Sequence, residues 1–380
     1  MNARSIRGKS PEEIQTALNR NLAGGFNPTL AIVFTSIKQD RNLLGKILSD
    51  AGIAVFGVTT NGEFIDEDLS NGEIAVLLLD INPAYFGIYF EEFKDSNYRA
   101  ASQAIARKAK DTFASPAFLI SASSSMQSDA EAILAGFEDI IGDQANVFGG
   151  MAGDDFTFME QFVFTNNLES NNGLVAIALD EEKIAVKGRA TCGWNAIGTP
   201  KTVTKSIGSH VFTIDDVPVL ELTKKYSGLD IRSGDTVDVA IQIATSLPLQ
   251  LQREKGDPVM RPGIKVNFED GSFICQGNVP QGSRVRFSLP PDFDVMEKVI
   301  KVLDELKATE MPEADALVVF SCAGRILSFG PMMNIEIEGV RKVWNVPMAG
   351  MFSMAELGRA NNGNLEMHNL TTCCVALKEK

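Results

Sequence analysis

Two distant stretches of the chain, VFGVTTNGEF and VPMAGMFSMAELG, place Gly57, Thr60, Gly62 and Glu63 at the same spacing as Gly350, Ser353, Ala355 and Glu356. A third, ANVFGGMAGDD, runs from an apolar segment through Gly150 and Gly153 to Asp154 and Asp155. Each sets the free N–H groups of a glycine turn beside a carboxylate, an arrangement able to hold a small polar molecule. Arg325 follows an apolar run and SCAG, and its planar guanidinium can grip a carboxylate through two parallel hydrogen bonds. Thr60, Ser321 and Ser353 would add orienting hydroxyls; Thr59, Cys322, His368 and Asn369 complete the candidate ligand-binding set. Such a set suits a zwitterion, with a cation for its carboxylate and acids for its ammonium group. The same residues admit structural roles. An acid closing a glycine turn can cap a helix, and Arg325 could pair with one of these carboxylates. A hydrolase using Glu63, Asp154 or Glu356 is an alternative, although no partner group for proton transfer is evident.

Other constellations are thin. The five cysteines form no CxxC pair, and the two histidines have no metal-ligand spacing, so no metal site is expected. His368 or His210 could serve singly as an axial haem ligand. There is no phosphate-binding P-loop, dinucleotide GxGxxG or G-x-S-x-G elbow.

Composition bounds the partners. The chain has 380 residues, 44% hydrophobic and 22% charged, enough to bury a large core in two domains or three. A net charge of −14 excludes the basic face that nucleic acid requires. The apolar runs are too short for a membrane span, and the first residues lack a secretory leader's apolar core. Scattered, odd-numbered cysteines point to a reduced, cytoplasmic protein.

The elements that must position these residues follow from pattern. A Ser-Pro start predicts a helix over 10–23, and LAIVFT reads as a buried strand. A helix over 39–52, the strand IAVFGV, two strands over 72–93 and a helix over 96–113 follow. The order recurs as a strand over 117–122, a helix over 129–142 and a strand over 145–150, with Ser128 or Asp129 as the helix cap. It recurs again as DALVVFSCAG and WNVPMAG, with a less clearly helical connection over 325–344. The intervening sequence is β-rich, with a hairpin turn at Asp270-Gly271. These signals imply an α/β fold in two related halves, with mixed sheets flanked by helices in an α/β/β/α layering. The expected boundaries are an N-terminal helix and leader over 1–27, then domains over 28–195 and 196–380. Parallel strands place ligands at their carboxyl ends, so the three turns are expected to converge on one or two clefts.

The motifs in this order resemble a known family. VFGVTTNGEF and VFGGMAGDD are similar to the FIST N-terminal domain; SCAGR, VPMAGMFSMAELG and HNLTT are similar to its partner, FIST_C. Ala355 departs from the pattern, where glycine is common. The resemblance implies a bacterial sensory protein for a small ligand, with amino acids favoured, acting on a separate output protein. Some relatives are haem-binding nitric-oxide sensors that act on histidine kinases. The resemblance therefore also admits haem as a cofactor, a histidine kinase as a partner, and a homodimer.

Overall fold

A computed structural model describes residues 1–123, 129–228, 231, 237–289 and 291–380. Residues 124–128, and with them the expected cap Ser128, lie outside the described residues. Asp129 does cap the following helix, accepting from the Ala132 N–H.

Three pairs of buried strands run parallel: Leu30–Thr35 with Ala54–Thr59, Pro116–Ala122 with Val147–Met151, and Ala316–Cys322 with Met348–Ser353. Such strands are apolar on both faces because both faces are covered. Each pair is joined by a helical crossover: Arg41–Asp50, Ala130–Ile141, and Ala323–Phe329 continuing as Met333–Trp344. The last crossover read as weakly helical because Gly330-Pro331 interrupts its periodicity. The structure resolves it into two helices around that break. Each first strand is flanked by an antiparallel strand, respectively Ile74–Asp80, Gly173–Asp180 and Thr372–Glu379. An edge strand follows: Asn2–Gly8, Phe86–Glu92 or Ile184–Thr191. A second helix completes each unit: Pro11–Ala23, Tyr98–Thr112 or Phe293–Thr309.

The α/β class, with mixed sheets flanked by helices, is as the sequence indicates. The repeat, however, occurs three times rather than as two halves. The third unit carries an insertion over 196–288, a nearly closed antiparallel barrel with the helices Val219–Ser227 and Val237–Ser246. The first residues, read as a leader, form the edge strand Asn2–Gly8.

The units interlock by exchanging hairpins. After its second parallel strand, each unit sends a short hairpin to another unit's sheet. Glu63–Ile65 pairs with Met348–Ser353, Glu356–Arg359 with Val147–Met151, and Val163–Phe164 with Ala54–Thr59. The donation runs from first unit to third, third to second and second to first, closing a ring. Register sets Phe64 opposite Gly350, Leu357 opposite Gly149 and Phe164 opposite Gly57. A Cβ on Gly57 would lie 2.2 Å from the Phe164 ring, and one on Gly350 2.3 Å from the Phe64 ring. The recurring glycine thus leaves room for an aromatic residue from the neighbouring unit. Residues from all three sheets, among them Phe34, Val58, Leu119, Ile177, Phe320 and Met351, share one core. Helices cover the other face of each sheet.

Candidate functional site

The three turns meet at the carboxyl ends of the parallel strands. Asn61 N–H donates to Phe352 O at 3.0 Å, and Phe352 N–H to Gly62 O at 2.8 Å. Gly153 N–H donates to Thr59 O at 2.8 Å, and Asp155 N–H to Thr60 O at 2.9 Å. Met151 N–H donates to Ala355 O at 2.8 Å, and Met354 N–H to Met151 O at 3.1 Å. Each turn therefore bonds to both others. Gly62 has φ +132°, a conformation suited to glycine. At Gly153 an added Cβ would fall 2.4 Å from Asn61 Nδ2, and at Gly150 2.9 Å from Ser353 Cβ. These glycines permit close approach of one turn to the next.

The turn acids are buried and largely committed. Glu63 accepts from the Thr60 hydroxyl at 2.9 Å, the Ser70 hydroxyl at 3.2 Å and the Glu73 N–H at 2.7 Å. Asp154 accepts from the Thr157 hydroxyl at 2.8 Å, Met159 N–H at 2.6 Å and the Gln161 amide at 3.1 Å, organising its own loop. Asp155 takes the Ser36 hydroxyl at 2.6 Å and pairs with Lys38 at 3.3 Å. The Thr59 hydroxyl donates to Gly153 O at 2.7 Å and accepts from Phe162 N–H at 2.8 Å. Ser321 bonds with Thr372 at 3.1 Å. Ser353 donates to Glu356 Oε1 at 2.7 Å, whereas Glu356 Oε2 is buried with no hydrogen-bond partner. Burial holds the Glu356 carboxyl well above the ordinary range; the Ser353 hydroxyl and the charge of Arg325 oppose that shift without offsetting it.

Burial likewise raises the Glu63 carboxyl from an ordinary 4.5 to about 7, against the opposing pull of its three donors. The folded chain then keeps this proton between pH 4.5 and 7, while the unfolded chain releases it. The contribution is fully present below pH 4.5, declines as pH rises through that window, and is constant above 7. The expected loss is about 3 kcal/mol. Melting of the wild type and Glu63→Gln at pH 5 and pH 8 checks this: the wild type should lose stability relative to the variant at pH 8. Parallel behaviour would contradict the assignment.

Arg325 is fully buried, and its hydrogen bonds go to groups other than the turn acids. Its Nε donates to Glu336 Oε1 at 3.1 Å and its Nη2 to Glu336 Oε2; Nη1 donates to the carbonyls of Cys192 and Leu370 at 2.8 and 2.9 Å. The guanidinium also lies 5.1 Å from the Trp194 ring and 5.3 Å from Phe329. Glu336, which sequence reasoning missed, lies in the connection that reads as less clearly helical, beside a second acid, Glu338. His368 Nε2 donates to Gly358 O at 3.2 Å, and burial lowers the ring to about 4. His210 Nε2 bonds with Ser272 at 2.6 Å, and its ring stacks on Phe212. Asn369 donates to the carbonyls of Met260 and Gln276 at 3.1 and 2.9 Å, tying the inserted barrel to the three-sheet body.

A cavity of about 120 Å³ opens where barrel and body meet. The body contributes Phe156, Phe158, Met354, Leu370 and the segment Cys322, Ala323, Gly324 and Leu327. The insertion contributes Ile241, Ala244, Thr245, Pro262, Ile264 and Gln276, whose amide donates to Met354 O. Of the candidate residues only Cys322 lines it. Neither histidine does, so a haem there would find no histidine ligand among the lining residues. The apolar lining was missed because its residues come from separate segments. In the folded chain it is marked by large apolar side chains left at the surface, Phe158 at 56% and Leu327 at 49% exposure.

Family models match both parts of the chain: FIST N domain over residues 29–217 and FIST C domain over 220–359. No protein of curated function matches it. Among the described residues no helix is long and apolar enough to cross a membrane. With both domains matched in order over 29–359, the chain belongs to the FIST family, whose domains serve sensing and signalling.

Proposed function

We propose that this protein senses a small molecule with an apolar body, an apolar amino acid such as leucine foremost, and reports its occupancy to a separate signalling partner such as a histidine kinase. The observation that carries this reading is the position of the cavity. Its walls come from both the inserted barrel and the ring of turns, so an occupant touches both. An apolar cavity of about 150 Å³ accommodates benzene, so one of about 120 Å³ suits an aliphatic side chain. Thr245 and Gln276 are the polar side chains in the lining; the Thr245 hydroxyl donates to Ile241 O and the Gln276 amide to Met354 O, so what they offer the ligand's head group is their oxygens, as acceptors. Arg325 is committed to Glu336 and supplies no carboxylate grip in this reading. Signalling would follow from tighter binding to one arrangement of barrel and body than to another. The free cysteines agree with a reduced, cytoplasmic setting.

A thermal-melt screen against the twenty amino acids tests this. A ligand at one hundred times its Kd stabilises by about 2.7 kcal/mol. Leucine or another apolar amino acid should raise the melting temperature, and Ala244→Phe, which fills the cavity from the barrel side, should abolish the rise. A rise that persists in Ala244→Phe, or one confined to charged amino acids, would contradict the reading.

A further inference from the structure

We propose that residues 155–162 form a lid on the cavity, in which Phe158 contacts the ligand's apolar body and limits its size, and Asp154 is the positioning residue that places Phe158. The inference rests on the reading that the cavity holds a small molecule. The lid is an insertion into the pattern of exchanged hairpins. Gly57 and Phe64 of the first unit are seven residues apart, as are Gly350 and Leu357 of the third. The matching pair of the second unit, Gly149 and Phe164, is fifteen apart. The first and third units deliver their hairpins without this extra segment, so the ring of exchanges does not need it. Both its ends are tied to adjacent residues of the first unit's turn. Asp155 N–H donates to Thr60 O at 2.9 Å, Phe162 N–H to the Thr59 hydroxyl at 2.8 Å, and Thr59 N–H to Phe162 O at 2.9 Å. Between these neighbouring anchors runs a compact surface loop of the kind that often serves binding.

Three of its residues take the left-handed backbone that favours glycine: Asp155 at φ +55°, Phe156 at +62° and Phe158 at +55°. The short polar side chain of an aspartate eases that conformation; a phenylalanine has no such help and is held there by its surroundings. Asn61 Oδ1 accepts from Phe156 N–H at 3.0 Å. Asp154 Oδ2 accepts from the Thr157 hydroxyl at 2.8 Å, Met159 N–H at 2.6 Å, Glu160 N–H at 3.2 Å and the Gln161 amide at 3.1 Å. The residues on either side of Phe158 are therefore fixed by one carboxylate oxygen. This backbone brings both aromatic rings into the cavity wall, with their centroids 6.5 Å apart. Phe156 packs on the third unit's helical core, whereas Phe158 is exposed, as are Leu327, Ile241 and Ile264 around the same cavity. An apolar ligand that seats Phe158 against these side chains removes their surfaces from water together, so it favours the closed lid over the open one.

The test is hydrogen exchange over residues 155–162 of the full chain, free and with leucine or with benzene, an apolar probe that has no head group. Exchange there should slow with either probe. Phe158→Ala, at an exposed position, should shift the ratio of the Kd values of leucine and phenylalanine about 10-fold in favour of the larger phenylalanine, the low end for one methylene in an apolar pocket. Asp154→Asn should move the same ratio in the same direction, and should add nothing once Phe158 is alanine. A purely structural Asp154 would lower stability alike in both backgrounds and leave the ratio where it was. Should Asp154→Asn not fold, Thr157→Val removes one of the donors to that carboxylate and takes its place in the cycle. A melting shift with leucine that is lost in Ala244→Phe, with exchange over 155–162 unchanged, would overturn the lid and leave the sensing reading standing. Protection of 155–162 by benzene, when no amino acid shifts the melting temperature, supports the lid and removes the amino-acid reading. Protection by neither probe, or a ratio unmoved in Phe158→Ala, overturns the proposal.

Discussion

Arg325→Ala should lower the unfolding free energy by about 3–5 kcal/mol, because it strands Glu336 as an uncompensated buried charge. Both side chains are fully buried, and two of the guanidinium's bonds go to Glu336. The substitution also deprives the carbonyls of Cys192 and Leu370 of their donors and removes the cation that lies near the Trp194 and Phe329 rings. Urea unfolding of the purified variant checks the expectation. Glu336→Ala should cost a similar amount, since the same pair is broken from the other side. Wild-type stability in Arg325→Ala, combined with loss of a ligand response, would instead return the guanidinium to the role of carboxylate clamp.

The hairpin exchange yields the second large effect. A methyl group on Gly57 would meet three atoms of the Phe164 ring at 2.2 to 2.5 Å, and those ring atoms are its three nearest neighbours. Gly57→Ala is therefore expected to cost about 1–3 kcal/mol through overpacking. Phe164→Ala should cost about 3–5 kcal/mol through loss of buried ring and the cavity it leaves. In the double variant the clash is gone, so its cost should fall short of the sum by about 0.5–3 kcal/mol. Chemical denaturation of the four proteins measures the coupling. Strict additivity would mean that the hairpin Val163–Phe164 does not pack over Gly57.

Much of each repeated unit is legible in sequence because its signals are local. LAIVFT is apolar on both faces and becomes a central strand; Asp40, Asn97 and Asp129 each cap the helix that follows them. The matching spacing of Gly57–Glu63 and Gly350–Glu356 likewise reflects one turn used repeatedly. What fails to show is whatever depends on distant partners. The exchanged hairpins contribute strands of two to four residues, such as Val163–Phe164 and Glu356–Arg359, whose partners lie in another unit. Asn2–Gly8 alternates too weakly in hydrophobicity to declare itself an edge strand. Arg325 reads in sequence as a carboxylate clamp or as the ion-pair partner of a turn acid, but Glu336 is not legible as its partner, because IEIEG gives no sign of which acid turns inward. The cavity is harder still, since its walls are assembled from residues 156–158, 241–245, 262–276, 322–327, 354 and 370.

Hydrogen exchange on the full chain, with and without the amino acid that gives the largest melting shift, tests the sensing site most directly. The account predicts slowed exchange at residues 241–245, 262–276 and 322–327, on both sides of the junction between barrel and body. Protection confined to the hairpins around Glu63 and His368, with the junction unchanged, would contradict it.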